Sequence, residues 1–397
     1  MRDALRWTAL SLALSAGAAG CGTPPKPPEK VVVRTDRAVD AKKLLAQARE
    51  DAKNGDVEAA DRNYAEAYDV GKQLAILEER VQLLIHTSRA AKALEIAKAY
   101  YDTHLTDAKG YALYCDTLLA MGRIDQALDV AGSLLELVPQ EGVGHEKKGR
   151  ALILQEHFDE AVDELRKAVT IDSGNAAHHM WLGIALHKVP GRVHEAVLEL
   201  RSSVKLDDNT MANTHLGAAL RDQDSFDESK AFLDRALELD PRNGRAYFEM
   251  GLLFNKQQKQ ADAELALSKA VQLAPNESLY WYAYGEIYRL QERIDEALSA
   301  YRKAVDLDPP YPKAVTKLAL LFVDRKQYDE AEHLLLSATK RDPKTASNYL
   351  TLGVVYAAKR KTKLAIEHYE KFLELAPKND PDRKRAKDAI TQLKRQG

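Results

Sequence analysis

Apolar residues between residues 41 and 397 return at helical spacing, in two alternating stripes. In residues 278–311, Trp281, Tyr284, Gly285 and Tyr288 fall at i, i+3, i+4 and i+7, one face of a first helix. Ala297, Tyr301 and Ala304 make the matching stripe of a second helix. Pro309 cannot continue that helix and biases its predecessor away from helical dihedrals, so the spacing predicts a helical hairpin that turns into the next unit. Small residues then recur every 34 positions, at Gly149, Gly183, Gly217, Gly251, Gly285, Ala319 and Gly353, with Cys115 one step earlier. A second ladder holds Ala127, Ala161, Ala263, Ala297, Ala331 and Ala365. A third holds Pro139, Pro241, Pro275, Pro309, Pro343 and Pro377. The glycine and alanine rungs predict close helix–helix approach, because larger side chains there would force the backbones apart.

The register extends in both directions. Clear units are 108–141, 142–175, 210–243, 244–277, 278–311, 312–345 and 346–379. Unit 176–209 carries one extra residue in its inter-helix turn, at Val189-Pro190-Gly191, and loses one before Gly217. Weaker units lie at about 75–107, marked by Val81, Ala93 and Ala97, and at about 41–74, marked by Ala48, Ala60, Tyr64 and Ala67. Residues 380–397 add an amphipathic helix, with Ala386, Ile390 and Leu393 on one side and Arg383, Lys384, Arg385 and Lys387 elsewhere. An open-ended stack needs such a polar cap. With no break in composition, 41–379 is expected to form one array, closed by 380–397.

The spacing W-x2-[LY]-G-x2-Y, then A-x3-[FY], then P, resembles the tetratricopeptide repeat. The resemblance implies an all-α fold, an α-solenoid wound as a right-handed superhelix of about ten hairpins with a C-terminal capping helix. It also implies that first helices line a concave groove, with their second, fifth, ninth and twelfth residues pointing inward. Carried onto this chain, those positions include Met180, Ile184 and His187; Met211, Thr214, Ala218 and Arg221; Arg245, Phe248, Leu252 and Asn255; Leu279, Tyr282, Glu286 and Arg289; and Lys313, Thr316, Leu320 and Val323. Arg221, Arg245, Phe248, Asn255, Tyr282 and Arg289 stand out as candidate anchors for a peptide or helix, since interface anchors are enriched in Arg and aromatic residues. Neither the ordered Lys and Asn positions of the family's carboxylate clamp nor the asparagine ladder of its sugar-transferring relatives is reproduced. The expectation is an adaptor for protein partners, not an enzyme, with no cofactor, metal or small-molecule substrate.

The N-terminus adds a second pattern. Arg2 and Arg6 precede a short apolar stretch, Trp7 to Ala19, ending in Ala18-Ala19-Gly20-Cys21. A basic region, an apolar core too short to span a bilayer and small residues read as a secretory signal over 1–20. The cysteine resembles the lipobox of bacterial lipoproteins, with Ala18 where leucine is usual. That resemblance implies lipidation of Cys21, and Gly22 after it implies anchoring in the outer membrane with the array facing the periplasm. Residues 21–40, with Pro24, Pro25, Pro27 and Pro28, are then expected to form an extended linker. At about 3.1 Å per residue such a linker reaches at most roughly 60 Å. Lipoproteins of this repeat type include pilotins, which help type IV pilus secretins assemble, and adaptors that dock peptidoglycan hydrolases; both roles stay open, as do an adaptor for envelope synthesis enzymes and a non-catalytic subunit of an enzyme complex.

Composition changes this picture little. The formal charge is −2, and −3 once Arg2, Arg6 and Asp3 leave with a cleaved leader, against the strongly basic balance of a general nucleic-acid binder. Lipidation of Cys21 leaves Cys115 alone on a close-packing rung, so no internal disulfide is expected. No G-x-S-x-G, phosphate loop, G-x-G-x-x-G or H-E-x-x-H motif occurs. His145 and His179 occupy the place that Trp281 and Tyr349 hold in other units, and are expected to pack helices together.

Overall fold

The computed structural model describes residues 33–87, 89–307 and 310–396; the signal, Cys21 and Pro309 lie outside them. The described residues form 21 α-helices and no strand, following one another as ten pairs and a final single helix, as the repeat pattern predicts. They pack as two compact units, the first ending at Ile96 and the second beginning at Ala97. The division falls in the weakest repeat, where Val81 stands on the glycine rung and Leu105 on the proline rung.

The first unit contains α1 (Val33–Asn54), α2 (Val57–Gly71), α3 (Leu74–His86) and the start of α4 (Ala90–Thr103). Helix α1 begins inside the stretch 21–40 assigned to an extended linker; no proline lies between Pro28 and the end of α1, so nothing stops a helix there. Ala48, Ala60, Tyr64, Ala67 and Ile76 form its core. Asp61 is buried between Arg80, 2.7 Å away, and Lys92. Burial alone would raise its pKa, but the two cations outweigh that and hold the carboxyl below its ordinary range.

The second unit continues with α5 (Ala108–Ala120), α6 (Ile124–Leu137), α7 (Val143–Leu154), α8 (Phe158–Ile171), α9 (Ala176–Lys188) and α10 (Val193–Leu206). Then come α11 (Thr210–Asp222), α12 (Phe226–Leu239), α13 (Gly244–Lys256), α14 (Gln260–Leu273), α15 (Ser278–Leu290) and α16 (Ile294–Asp306). It closes with α17 (Pro312–Asp324), α18 (Tyr328–Arg341), α19 (Ala346–Ala358), α20 (Thr362–Leu375) and α21 (Asp382–Gln396).

The glycine rungs do what the spacing requires. A Cβ on Gly149, Gly183, Gly217 or Gly251 would stand 2.5–2.6 Å from the side chain of Leu165, Leu200, Leu233 or Leu267 on the following helix. At Gly285 and Gly353 the obstacles are the rings of Tyr301 and Tyr369. Position 229 breaks the alanine ladder with serine, and its hydroxyl donates to the Gly217 carbonyl at 2.7 Å, so a polar group is buried with a partner. Cys115 is fully buried, its thiol donating to the Ala127 carbonyl at 3.4 Å and pushed up to about 12 by burial, so it is an inert packing residue.

The rung shared by Tyr111, His145, His179, Trp281 and Tyr349 is a clamp. Tyr111, Trp281 and Tyr349 donate to the carbonyls of Leu105, Pro275 and Pro343, six residues back, and His179 Nε2 lies 3.1 Å from the Ser173 carbonyl oxygen. Both histidines also reach the second helix, His145 at 2.7 Å from Glu164 and His179 at 2.6 Å from Glu199. At the C-terminal end α21 buries Ala386 and Ile390. Arg383, expected on the polar side, instead donates to the Leu373 and Ala376 carbonyls at the end of α20, where a cation complements the helix dipole.

One ladder is invisible in composition. The inter-helix turns place Gly122, Glu156, Gly191, Asp224, Gln258, Glu292, Lys326 and Arg360 at φ between 57° and 80°. A left-handed backbone costs an L residue about 1–2 kcal/mol, part of which glycine's larger unfolded-state entropy offsets. Gln258→Gly and Glu292→Gly are therefore expected to stabilise by roughly 0.5–1 kcal/mol each. Slower amide exchange in the flanking helices would register the gain; unchanged or faster exchange would refute it.

Candidate partner-binding face

Within the second unit, first helices touch first helices: α5 with α7, α7 with α9, α9 with α11, α11 with α13, α13 with α15, and α17 with α19. No two second helices make comparable contact. The first helices therefore form one layer whose outward residues share a surface. Between α15 and α17 the layer opens; the turn into α17 contains Pro310, α17 itself starts at Pro312, and the Tyr311 ring leans on Tyr282 with centroids 4.6 Å apart.

The six candidate anchors do not fare alike. Phe248 was expected to face a partner, but its ring is 3% exposed and stacked on Tyr280 at 4.5 Å, so it is a core residue. The neighbouring first helix supplies Tyr280, which counting along one helix could not reveal. Arg221 is also mostly buried, pairing with Glu249 and lying 2.9 Å from Asp222. Arg245 remains half-exposed while pairing with Glu249 at 2.7 Å. Asn255 is half-buried, and no side-chain hydrogen bond ties its amide to the described residues. Tyr282 is half-buried, and Arg289 is half-buried too while pairing with Glu286 at 3.0 Å.

The face is thus organised around carboxylates that were not among the six candidate anchors. Glu249, 2% exposed, joins Arg221 of α11 to Arg245 of α13. Asp222 extends this chain to His187 of α9, 2.9 Å away. Glu286 accepts from Arg289 and from the Tyr301 hydroxyl, and Lys317 of α17 stands 3.6 Å off. Burial alone would raise both glutamates, but the surrounding cations hold them below the ordinary carboxylate range. A similar group ties α7 to its neighbour: Glu146 and Lys147 are buried, with Arg150 bridging to Asp116 of α5 at 2.6 Å. The i+4 spacings of Arg245–Glu249 and Glu146–Arg150 and the i+3 spacing of Glu286–Arg289 were visible signals; the pairs Arg221–Glu249, His187–Asp222, Lys317–Glu286 and Arg150–Asp116 join neighbouring repeats.

What stays open to solvent is basic and apolar. Arg245, Arg289, Lys313 and Lys317 keep exposed or half-exposed cationic ends, and Met211 and Leu320 are 41% and 37% exposed. Among the described residues no group of three or more His, Cys, Asp or Glu side chains could hold a metal ion. No described helix is long and apolar enough to cross a membrane.

A stack of helical hairpins whose first helices share one layer is a helical-repeat protein. A tetratricopeptide-repeat family profile matches residues 116–176 and 215–278, and the profile described as the cytochrome c-type biogenesis protein H TPR domain matches residues 255–383. The chain belongs to the tetratricopeptide-repeat family, whose arrays are protein-interaction scaffolds and typically non-catalytic. No curated protein matches its sequence. Among solved structures it is similar in fold to the human IFIT1 dimer with m7Gppp-AAAA, at 15% identity over 87% of this chain and 96% of that one, TM-score 0.54. Yeast Tom70 matches at 15% identity over 89% and 95%, TM-score 0.44. YrrB, a TPR protein with an unusual peptide-binding site, matches at 23% identity over 47% and 96%, TM-score 0.35.

Proposed function

We propose that this chain is a lipid-anchored scaffold of a bacterial cell envelope, held in the outer membrane through Cys21, that grips a protein segment on the first helices α11 to α17. The observation carrying the binding reading is the first-helix layer, whose open groups are Met211, Leu320 and the cations at 245, 289, 313 and 317. The anchoring reading rests on Ala18-Ala19-Gly20-Cys21, outside the described residues. A few apolar anchors ringed by cations suit an amphipathic or acidic segment. Assembly of a pilus secretin and docking of a peptidoglycan hydrolase are both roles such a scaffold serves. The match over residues 255–383 favours a third, cytochrome c-type biogenesis.

One set of strains tests both halves. Cys21→Ser is expected to move the protein out of the membrane fraction or leave its leader uncleaved; unchanged partition with normal processing overturns the anchor. A photo-crosslinking residue at Leu320 is expected to capture a partner that the same probe at Leu336, exposed on second helix α18, does not. Lys313→Glu with Met211→Asp should abolish that capture at unchanged helicity. Equal capture from both positions would move the working surface off the first helices.

A further inference from the structure

The second helices carry a separate feature. Between α12 and α14, over a different stripe of α13 from the one bearing Arg245, lies a groove of about 410 Å³. Leu237, Tyr247, Met250, Phe254 and Ala266 supply its apolar lining. Leu265 stands at its edge 66% exposed, more than any other large hydrophobic side chain described. On α14 the groove-side residues Asp262, Leu265, Ala266 and Lys269 fall at i, i+3, i+4 and i+7, one stripe of the helix. Across the groove, Lys230 and Asp234 of α12 neutralise each other at 2.6 Å. Asp262 and Lys269 are both exposed, and neither has an ion-pair or hydrogen-bond partner among the described residues.

That stripe is its own complement. We propose that the face binds a second copy of this chain, α14 against α14, antiparallel about a twofold axis between Leu265 and Ala266. Asp262 and Lys269 lie equally far on either side of that point, about 10 Å apart along the helix. Antiparallel pairing therefore sets each Asp262 opposite Lys269 of the other copy, giving two symmetric ion pairs. The same operation brings Leu265 over the small, buried Ala266 of the other copy, where the groove leaves room for it. A twofold contact is isologous, so one patch must carry both halves of each interaction, as this one does. An unrelated partner would have to bring its own acid and base at the same seven-residue spacing. This contact is independent of the first-helix face and of what that face binds.

Sedimentation equilibrium of the full chain tests the proposal. The wild-type chain is expected to show a monomer–dimer equilibrium below about 100 μM. Asp262→Lys and Lys269→Asp should each weaken it at least about tenfold, because each places like charges opposite one another twice. Mixing the two variants should restore dimers, since the mixed pair regains an acid opposite a base at both places. Leu265→Asp should abolish association at unchanged circular dichroism, its side chain being largely solvent-exposed. A chain monomeric at about 100 μM, a dimer indifferent to the single reversals, or a mixture no tighter than either variant alone would each overturn the proposal.

Discussion

Glu249→Ala is expected to destabilise the repeats around α11–α13 by about 3–5 kcal/mol, the cost of removing one partner from a buried ion pair. Glu249 is 2% exposed and joins Arg221 to Arg245 across two repeats. Without it, the mostly buried Arg221 guanidinium keeps only Asp222. Hydrogen exchange should accelerate in α11 and α13 first, because a repeat array loses stability locally before it loses it everywhere. Glu249→Gln should cost less, since the amide oxygen still accepts a hydrogen bond. Equal exchange rates in Glu249→Ala and wild type would mean that the network contributes nothing.

The same carboxylates set an acid limit. Glu249 and Glu286 sit below the ordinary value of 4.5 in the folded chain, and Glu164, ringed by His145, Lys167 and Lys148, is lowered to about 2 although burial opposes it. A lowered folded-state pKa contributes stability in full above the unfolded value and loses it as pH falls through the folded one. Stability should therefore begin to fall below about pH 6.5, where the unfolded chain protonates His215 while burial holds it near 4 in the fold, and fall more steeply from pH 4.5 toward pH 2 as the carboxylates protonate. Glu164→Gln should flatten that dependence.

Gly285→Leu is expected to cost about 1–3 kcal/mol or more by overpacking. Its Cβ alone would meet Tyr301 Cδ1 and Cε1 at 2.7 Å, and that ring is fully buried with its hydroxyl held by Glu286. The damage should centre on α15 and α16. Gly132, inside α6, makes the control: a Cβ there meets nothing within 4 Å, so Gly132→Ala should stabilise by about 1 kcal/mol through helix propensity. Two glycines in helices would then respond with opposite signs. A thermal melt unmoved by Gly285→Leu would mean that the two helices do not touch there.

Helix periodicity, the close-packing rungs and the proline stops are local or repeat every 34 residues, so the sequence alone determined the hairpin, its register and the extra residue at Val189-Pro190-Gly191. Each rung is a steric demand on one residue type, and a single chain displays it many times over. The left-handed turn positions escaped because Glu, Asp, Gln, Lys and Arg carry no mark of positive φ; only Gly122 and Gly191 among them could have given it away. The face was legible only as a set of positions. Whether Phe248 points to solvent depends on Tyr280, and whether Arg221 is free depends on Glu249, each supplied by the next repeat. A position rule counts along one helix, whereas burial and charge pairing are settled between helices. That is why the tertiary structure alone showed which side chains are locked into the ion network's interior and which keep a cationic end or an apolar surface open to solvent.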